Sequence, residues 1–487
     1  MLEAYFDVIK NEAKNLEILV FQKGALVTPT TEDLLELVIS SKHKITDNSV
    51  VTAVRTLLLD HTAVAINGSQ TETSRVFRKS QKLTKTIDLP LMPIFGIGSS
   101  SNLVGAAMAN ALAAHSIEYD DVHNASSSHP GVVIFPAAMT AALISGGNEI
   151  DVIRGVVAGY EAMCRIGRAA NPPSHYARNF HPTGTVGTLG AAVAAGSVMN
   201  FDIPKLNHTV GIACSMASGS MQFLVDGAWT KRLHPALAVR NGLDAAFLAK
   251  EGFIGTKDGV CGDRGFLVSY SANPRPELLL GGGEDRPLEV INTSIKAHTC
   301  CRYNQGAIDA MLILRSLSRF TSQDISSIVV GVPSAAVDIV LEPSELKKRP
   351  RSVVDAQFSL PFALAVALRH GEAGLKQYCD EELENRENQK IMKIVTYQVD
   401  ADIDACYPEQ WKAWVRVETS NGEVFQENVS SPKGDPENPL SGQELSSKYR
   451  SLTNGIMSSE SIDELEKTVA CFGEPGTFSH FIKTLSK

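Results

Sequence analysis

The sequence predicts a mainly α protein, with a large all-helical domain and a smaller α+β lid domain. Three observations carry this. Residues 45–270 read as helices built from small side chains, with sparse strand signals. A break follows at 271–287 (SANPRPELLLGGGEDRP), with three consecutive glycines and three prolines. After it, β-type patterns appear.

The elements follow in order. Residues 1–44 are amphipathic and mixed in charge, and are expected to form a peripheral helical extension. Stretches 102–115 (NLVGAAMANALAAH), 153–168 and 185–199 place Ala and Gly at helical spacing, so close-packed helices are expected. The break reads as a linker or mobile crossing. Beyond it, 289–295 (EVINTSI), 325–332, 394–400 and 413–419 read as strands. Asn421-Gly422 turns the last of these into a hairpin with 423–429. Helices are expected at 307–318, 360–370 and 380–392, and again from 441 onward. The expected domains are therefore 45–280 with 440–487 (helical) and 285–430 (α+β lid).

Composition narrows the function. The chain has 487 residues, 44% apolar and 20% charged, which suits a soluble protein of two large domains. Its net charge of −9 argues against nucleic-acid binding, although a small cationic pocket is compatible with it. The most apolar stretches fall short of a membrane span, and the first residues (MLEAYFDVIKNEAKN) lack the pattern of a targeting peptide. A cytoplasmic location is expected. Eight cysteines, with only Cys300 and Cys301 close together, suggest reduced thiols that pack. Neither CxxC nor HExxH spacing occurs, so no metal is expected.

Four stretches could carry chemistry. Residues 117–130 (IEYDDVHNASSSHP) set Glu118, Asp120, Asp121, His123 and His129 together at a helix-to-loop boundary. Carboxylates beside imidazoles tune each other for acid–base work; the plainer reading is a solvated, capped helix end. Residues 179–190 (NFHPTGTVGTLG) put His181 before a Gly- and Thr-rich helix start that could hold a carboxylate; the plainer reading is a core histidine. Residues 228–242 (AWTKRLHPALAVRNG) offer Lys231, Arg232, His234 and Arg240, either for a polyanionic ligand or as surface charge. Residues 296–303 (KAHTCCRY) add Lys296, His298 and Arg302. Two further patterns are set aside. Gly96-Ile97-Gly98 lacks the third glycine of a dinucleotide loop, and 346–351 (LKKRPR) reads as a solvated loop.

Together these stretches resemble the MmgE/PrpD family, which includes 2-methylcitrate dehydratase and cis-aconitate decarboxylase. The matching text is EYDDVH (118–123) with Ser128-His129-Pro130, HPTGTVGTLG (181–190), KRLHP (231–235) with RNG (240–242), KAHTCCR (296–302) and DAQFSLP (355–361). The resemblance implies a helical domain with an α+β lid, usually a homodimer, and a cofactor-free lyase acting on a small polycarboxylate. It also implies a site at Glu118, Asp120, His129, His181, Lys231 and Lys296. The expected roles are catalytic for His129, His181, Asp120 and Lys231 and substrate-binding for Glu118 and Lys296, with the cations Arg302 and Arg232 added from their own stretches and lid closure expected to bring Lys296 in. Two departures stand out. Val122 occupies a position often Thr in the family, and 337–346 lacks the tyrosine of animal-type decarboxylases. Both count against an itaconate-forming decarboxylase without establishing a dehydratase, and dehydration of a 2-methylcitrate or 2-alkylcitrate is the leading expectation. Decarboxylation of cis-aconitate to itaconate is the second, and a catalytically silent interaction protein the third.

Overall fold

The computed structural model describes residues 29–81, 91–281, 286–317 and 319–486. Most of the N-terminal extension, residues 1–28, lies outside them. The described part is not peripheral. Helix Thr31–Ser40 starts on a Thr30 capping box and buries Leu34, Leu35 and Val38 in the main core. Its apolar stripe needs that cover, which is why it packs.

The main core is a bundle around helices Gly131–Ser145, Glu149–Ala169, Pro182–Val198 and Thr230–Lys250. Small residues permit the close crossings. A Cβ at Gly190 would stand 2.6 Å from Met163 Cβ, and one at Gly242 would stand 2.4 Å from Ala191 Cβ. Either added methyl would force helices apart. Helix Asn48–Gly68 is long and apolar enough to cross a membrane by composition alone, but 67% of its most apolar window is buried inside the protein. The chain returns to this core at its end. Helix Gly442–Thr453 packs on Asn48–Gly68, with Lys448 Nζ 2.6 Å from Asp60 Oδ1.

A short hairpin, β1 (Leu91–Ile94) and β2 (Ser99–Asn102), interrupts the helices. Gly96 and Gly98, with φ of 69° and 63°, form its turn, which explains the dinucleotide-like spacing. Among the described residues, no named strand lies between β2 and residue 325.

A second core spans residues 300–429. Its four-stranded sheet runs β4-β3-β5-β6, from β3 (Ile325–Val332), β4 (Val395–Val399), β5 (Ala413–Thr419) and β6 (Val424–Val429). The β3–β4 pair is parallel and the other two are antiparallel. Helices Gln305–Ser316 and Leu360–His370 contribute to this core.

Three sequence expectations need correction. Residues 289–295 form turns and not a strand. Glu289 is tied to His123 Nε2 at 3.0 Å and to Arg168 and Arg286, and Ser294 only bridges Val122. Buried charge pairing competes there with a sheet ladder. The 271–287 break is anchored on its near side: Arg275 N–H donates to Ala169 O, and Arg165 donates to Leu279 O. Finally, 346–351 is not wholly solvated, because Lys347 Nζ donates to Ile339 O (2.6 Å) and Phe358 O (2.9 Å).

Candidate active site

The site begins where helix Leu103–Ala114 ends. The chain turns through Glu118, whose φ of +55° is rare for a residue with a Cβ. Such a strained conformation persists only when its surroundings enforce it. Here Lys231 Nζ contacts Glu118 Oε1, and Lys296 Nζ donates to the Glu118 carbonyl at 3.1 Å and stands 3.6 Å from Oε2. Burial pushes the Glu118 carboxyl up, but Lys231 and then Lys296 push it down harder, to about 2. It is a fixed negative charge in a buried place.

Asp120 lies beyond it and joins two imidazoles. His115 Nδ1 is 2.7 Å from Asp120 Oδ2, and His129 Nδ1 is 3.2 Å from the same oxygen. His129 Nδ1 also lies 2.7 Å from the Asp121 carbonyl. A carbonyl oxygen only accepts, so in the neutral ring Nδ1 carries the proton and Nε2 keeps its lone pair. The backbone of His129 is fixed as well, its N–H donating to Thr183 Oγ1 on helix Pro182–Val198. Burial raises the Asp120 carboxyl, but His129, His115 and Lys296 hold it well below the ordinary range.

Asp121, one residue on, behaves in the opposite way. Burial pushes it up to about 8, against the pull of the Tyr160 hydroxyl at 2.8 Å. It also accepts from Gly131 N–H at a helix start. Asp121 is a neutral structural acid, whereas Asp120 is an ionised one.

The opposite side carries a second imidazole pair. His181 Nδ1 is 3.0 Å from His234 Nδ1, so one ring donates and the other accepts. Burial, then His234 and Lys231, hold His181 well below its ordinary value, and burial with His115 and Lys231 takes His234 to about 4. Both stay neutral near pH 7. His115 stacks on His181 at 5.8 Å and ties the two pairs together. On helix Thr230–Lys250, Lys231 and His234 share one face by their three-residue spacing.

Glu118, His129, His181, Lys231 and Arg302 line one cleft. Its remaining wall is apolar and aromatic, including Met221, Phe223, Leu224, Ile339, Phe358 and Trp411. The cleft encloses only about 40 Å³, room for little more than one water. A six-carbon acid enters only if the walls part.

Several expected residues sit elsewhere. Asp120 does not line the cleft and meets it through its contact with His129. Lys296 is wholly buried behind Glu118 and is not a cation that closure carries in. Lys448 from the C-terminal helix holds its carbonyl at 2.9 Å. Arg302 lines the cleft but is gripped bidentately by Asp435. Arg232 faces away and reaches Thr73 Oγ1 at 3.5 Å, because the residue after Lys231 on a helix points to another side. Arg240 pairs with Asp244, and His298 with Asp309. The helix start after His181 is covered: Gly219 O accepts from His181 N–H, and a Cβ on Gly184 would meet Ser218 O at 2.4 Å. It is closed to a carboxylate. Cys301 lines the cleft, with its thiol pushed up by burial, so it packs there as a thiol.

The sequence reading missed His115 as a partner of the site. An apolar helix end ANALAAH gives no signal for its role until Asp120 folds back onto it. Among the described residues, the group with metal-ligand spacing is His115, Asp120 and His129, whose ligand atoms lie within 4.8 Å of one another. Lys296 Nζ, 3.6 Å from Asp120 Oδ1, places a positive charge against that position. The donor set fits a hydrogen-bonded relay better than a cation.

Comparison with known proteins finds relatives along most of the chain. The chain is 26% identical over 462 residues to the cis-aconitate decarboxylase-like protein oryM of Aspergillus oryzae, covering 90% of this chain and 93% of that one. It is 27% identical over 442 residues to a cis-aconitate decarboxylase of Aspergillus terreus (87% and 89% covered). It is 24% identical over 464 residues to that of Mus musculus (90% and 90% covered). The MmgE/PrpD N-terminal domain matches residues 32–279 and the MmgE/PrpD C-terminal domain matches residues 298–474, so the chain belongs to the MmgE/PrpD family.

Proposed function

We propose that the chain is a cofactor-independent lyase that removes water from a 2-alkylcitrate-type tricarboxylate, 2-methylcitrate being the smallest, to give the alkyl-aconitate. The observation that carries this is the convergence of His129, His181 and Lys231 on one cleft from three separate segments. The base removes a proton next to a carboxylate. The C–O bond breaks, the double bond forms, and the hydroxyl leaves with a proton from the acid. His129 suits the base, since its Nε2 is the unprotonated nitrogen of the neutral ring. His181 suits the acid with His234 Nδ1 donating to its Nδ1, which leaves the proton of the neutral His181 ring on Nε2. Lys231 neutralises a substrate carboxylate once it parts from Glu118. The unit built on the second core acts as the lid. Homodimer formation and a cytoplasmic location complete the reading.

The named relatives favour a second reading, decarboxylation of cis-aconitate to itaconate. The same cleft would then release carbon dioxide, and the acid would protonate the carbon left behind. Mass spectrometry of products from citrate, 2-methylcitrate, longer alkylcitrates and cis-aconitate decides. Loss of water from an alkylcitrate supports the first reading, and loss of carbon dioxide from cis-aconitate the second. A silent interaction protein would turn over none of them. Dialysis against a strong chelator is expected to leave turnover unchanged, and loss that a divalent metal restores would overturn cofactor independence.

A further inference from the structure

A second cavity of about 180 Å³ adjoins the cleft and shares Phe223, Leu224 and Phe358 with it. Its outer wall adds Val225, Leu346 and Val354, and it opens to solvent past Val225 and Leu346, which are 68% and 44% exposed. Resting on the tricarboxylate reading above, we infer that the substrate carries an uncharged apolar chain, which leaves the cleft past Leu224 and Phe358 and fills this second cavity.

Charge decides between a chain and a carboxylate as the occupant. Both cations of the second cavity are engaged. Lys347 Nζ is held by the Ile339 and Phe358 carbonyls, and Arg351 Nε pairs with Asp355 at 3.2 Å. Asp338 and Glu342 line the same space and repel an anion. A carboxylate would face these acids and compete with partners both cations already have, whereas methylenes would find aromatic and aliphatic walls. The cleft itself says the same. A bare citrate or aconitate presents little apolar surface, yet Met221, Phe223, Leu224, Ile339 and Phe358 face it. Lys347 also gains a role, because it staples the backbone behind Ile339 and Phe358 and so positions the wall the chain would slide along.

The test is a chain-length series with the full-length protein: citrate, then 2-methyl-, 2-butyl-, 2-hexyl- and 2-octylcitrate, with a terminal-carboxylate version of the hexyl compound. The expected kcat/KM rises about three- to fourfold per added methylene until the cavity is full, and the terminal carboxylate abolishes the gain. In a Val225→Asp, Leu346→Asp double variant, the hexyl-to-methyl ratio of kcat/KM falls about tenfold, while Val225→Ile keeps it. Both positions are exposed, so the substitutions spare the core. If methylcitrate turns over but kcat/KM stays flat or falls with length, the chain inference is wrong and the lyase reading stands. Turnover of none of these acids or of cis-aconitate overturns both.

Discussion

The two walls of the cleft are built by different rules. The wall from residues 115–131 and Lys231 is a set of interlocked charges. Asp120 joins His115 to His129, and Glu118 lies between Lys231 and Lys296. The facing wall, from Met221, Phe223, Leu224, Ile339 and Phe358, is apolar and held by backbone staples such as Lys347. In the proposed reaction the first wall sets the protonation states and the second selects what fits. Removing a group from the charged wall should therefore change turnover or folding, whereas changing the apolar wall should change preference.

The largest effect tests the charged wall directly. His129→Ala is expected to lower kcat about 10²–10⁴-fold with a smaller change in KM, read by steady-state kinetics. Near-normal turnover in the His129→Ala, His181→Ala double variant would break the proposed mechanism. Lys296→Met comes next. Lys296 is wholly buried between two carboxylates, so its loss should cost about 3–5 kcal/mol of stability, measured by urea unfolding. A pure KM effect would instead support the mobile lid cation that the sequence suggested. Lys231→Ala, which removes the cation beside Glu118, should lower kcat/KM about tenfold to 100-fold.

Acidity gives a further handle on the charged side and the histidines around it. Burial holds His115, His175 and His234 at about 4, below the unfolded value of about 6.5. The unfolded chain therefore binds more protons between those values. These histidines contribute stability that is complete above about pH 6.5 and is lost as pH falls toward 4. Asp121 acts in the opposite direction. Its folded value of about 8 exceeds the unfolded value of about 3.9, so its contribution is complete below about pH 4 and is lost as pH rises toward 8. Asp121→Asn should remove that alkaline loss, so the gain in thermal midpoint over the parent grows between pH 4 and 8. A gain independent of pH would refute the assignment. The smallest effect is expected from Arg232→Ala, within about threefold in kcat/KM, because the side chain faces Thr73.

Much of the fold was legible in the sequence because its signals are local. Helix Leu360–His370 and strands β3 and β5 have the predicted limits, since period and turn chemistry act over a few residues. The site motifs were legible too, as unusual runs of His, Lys and Asp. What failed depended on contacts far along the chain. Residues 289–295 have strand composition, but Glu289 is claimed by His123, Arg168 and Arg286. Neither Asp120 nor Asp121 carries a label in EYDDVH that says which one ionises. Only the tertiary structure, by putting His115, His129 and Lys296 around one and burying the other away from any cation that would outweigh its desolvation, sends their acidities in opposite directions. The sequence by itself determined which chemical groups are present and the helical period that displays Lys231 with His234. The structure decided that Arg232 turns away, that Lys296 is buried and that an apolar wall faces the charges, because burial and orientation are set by segments that meet only on folding.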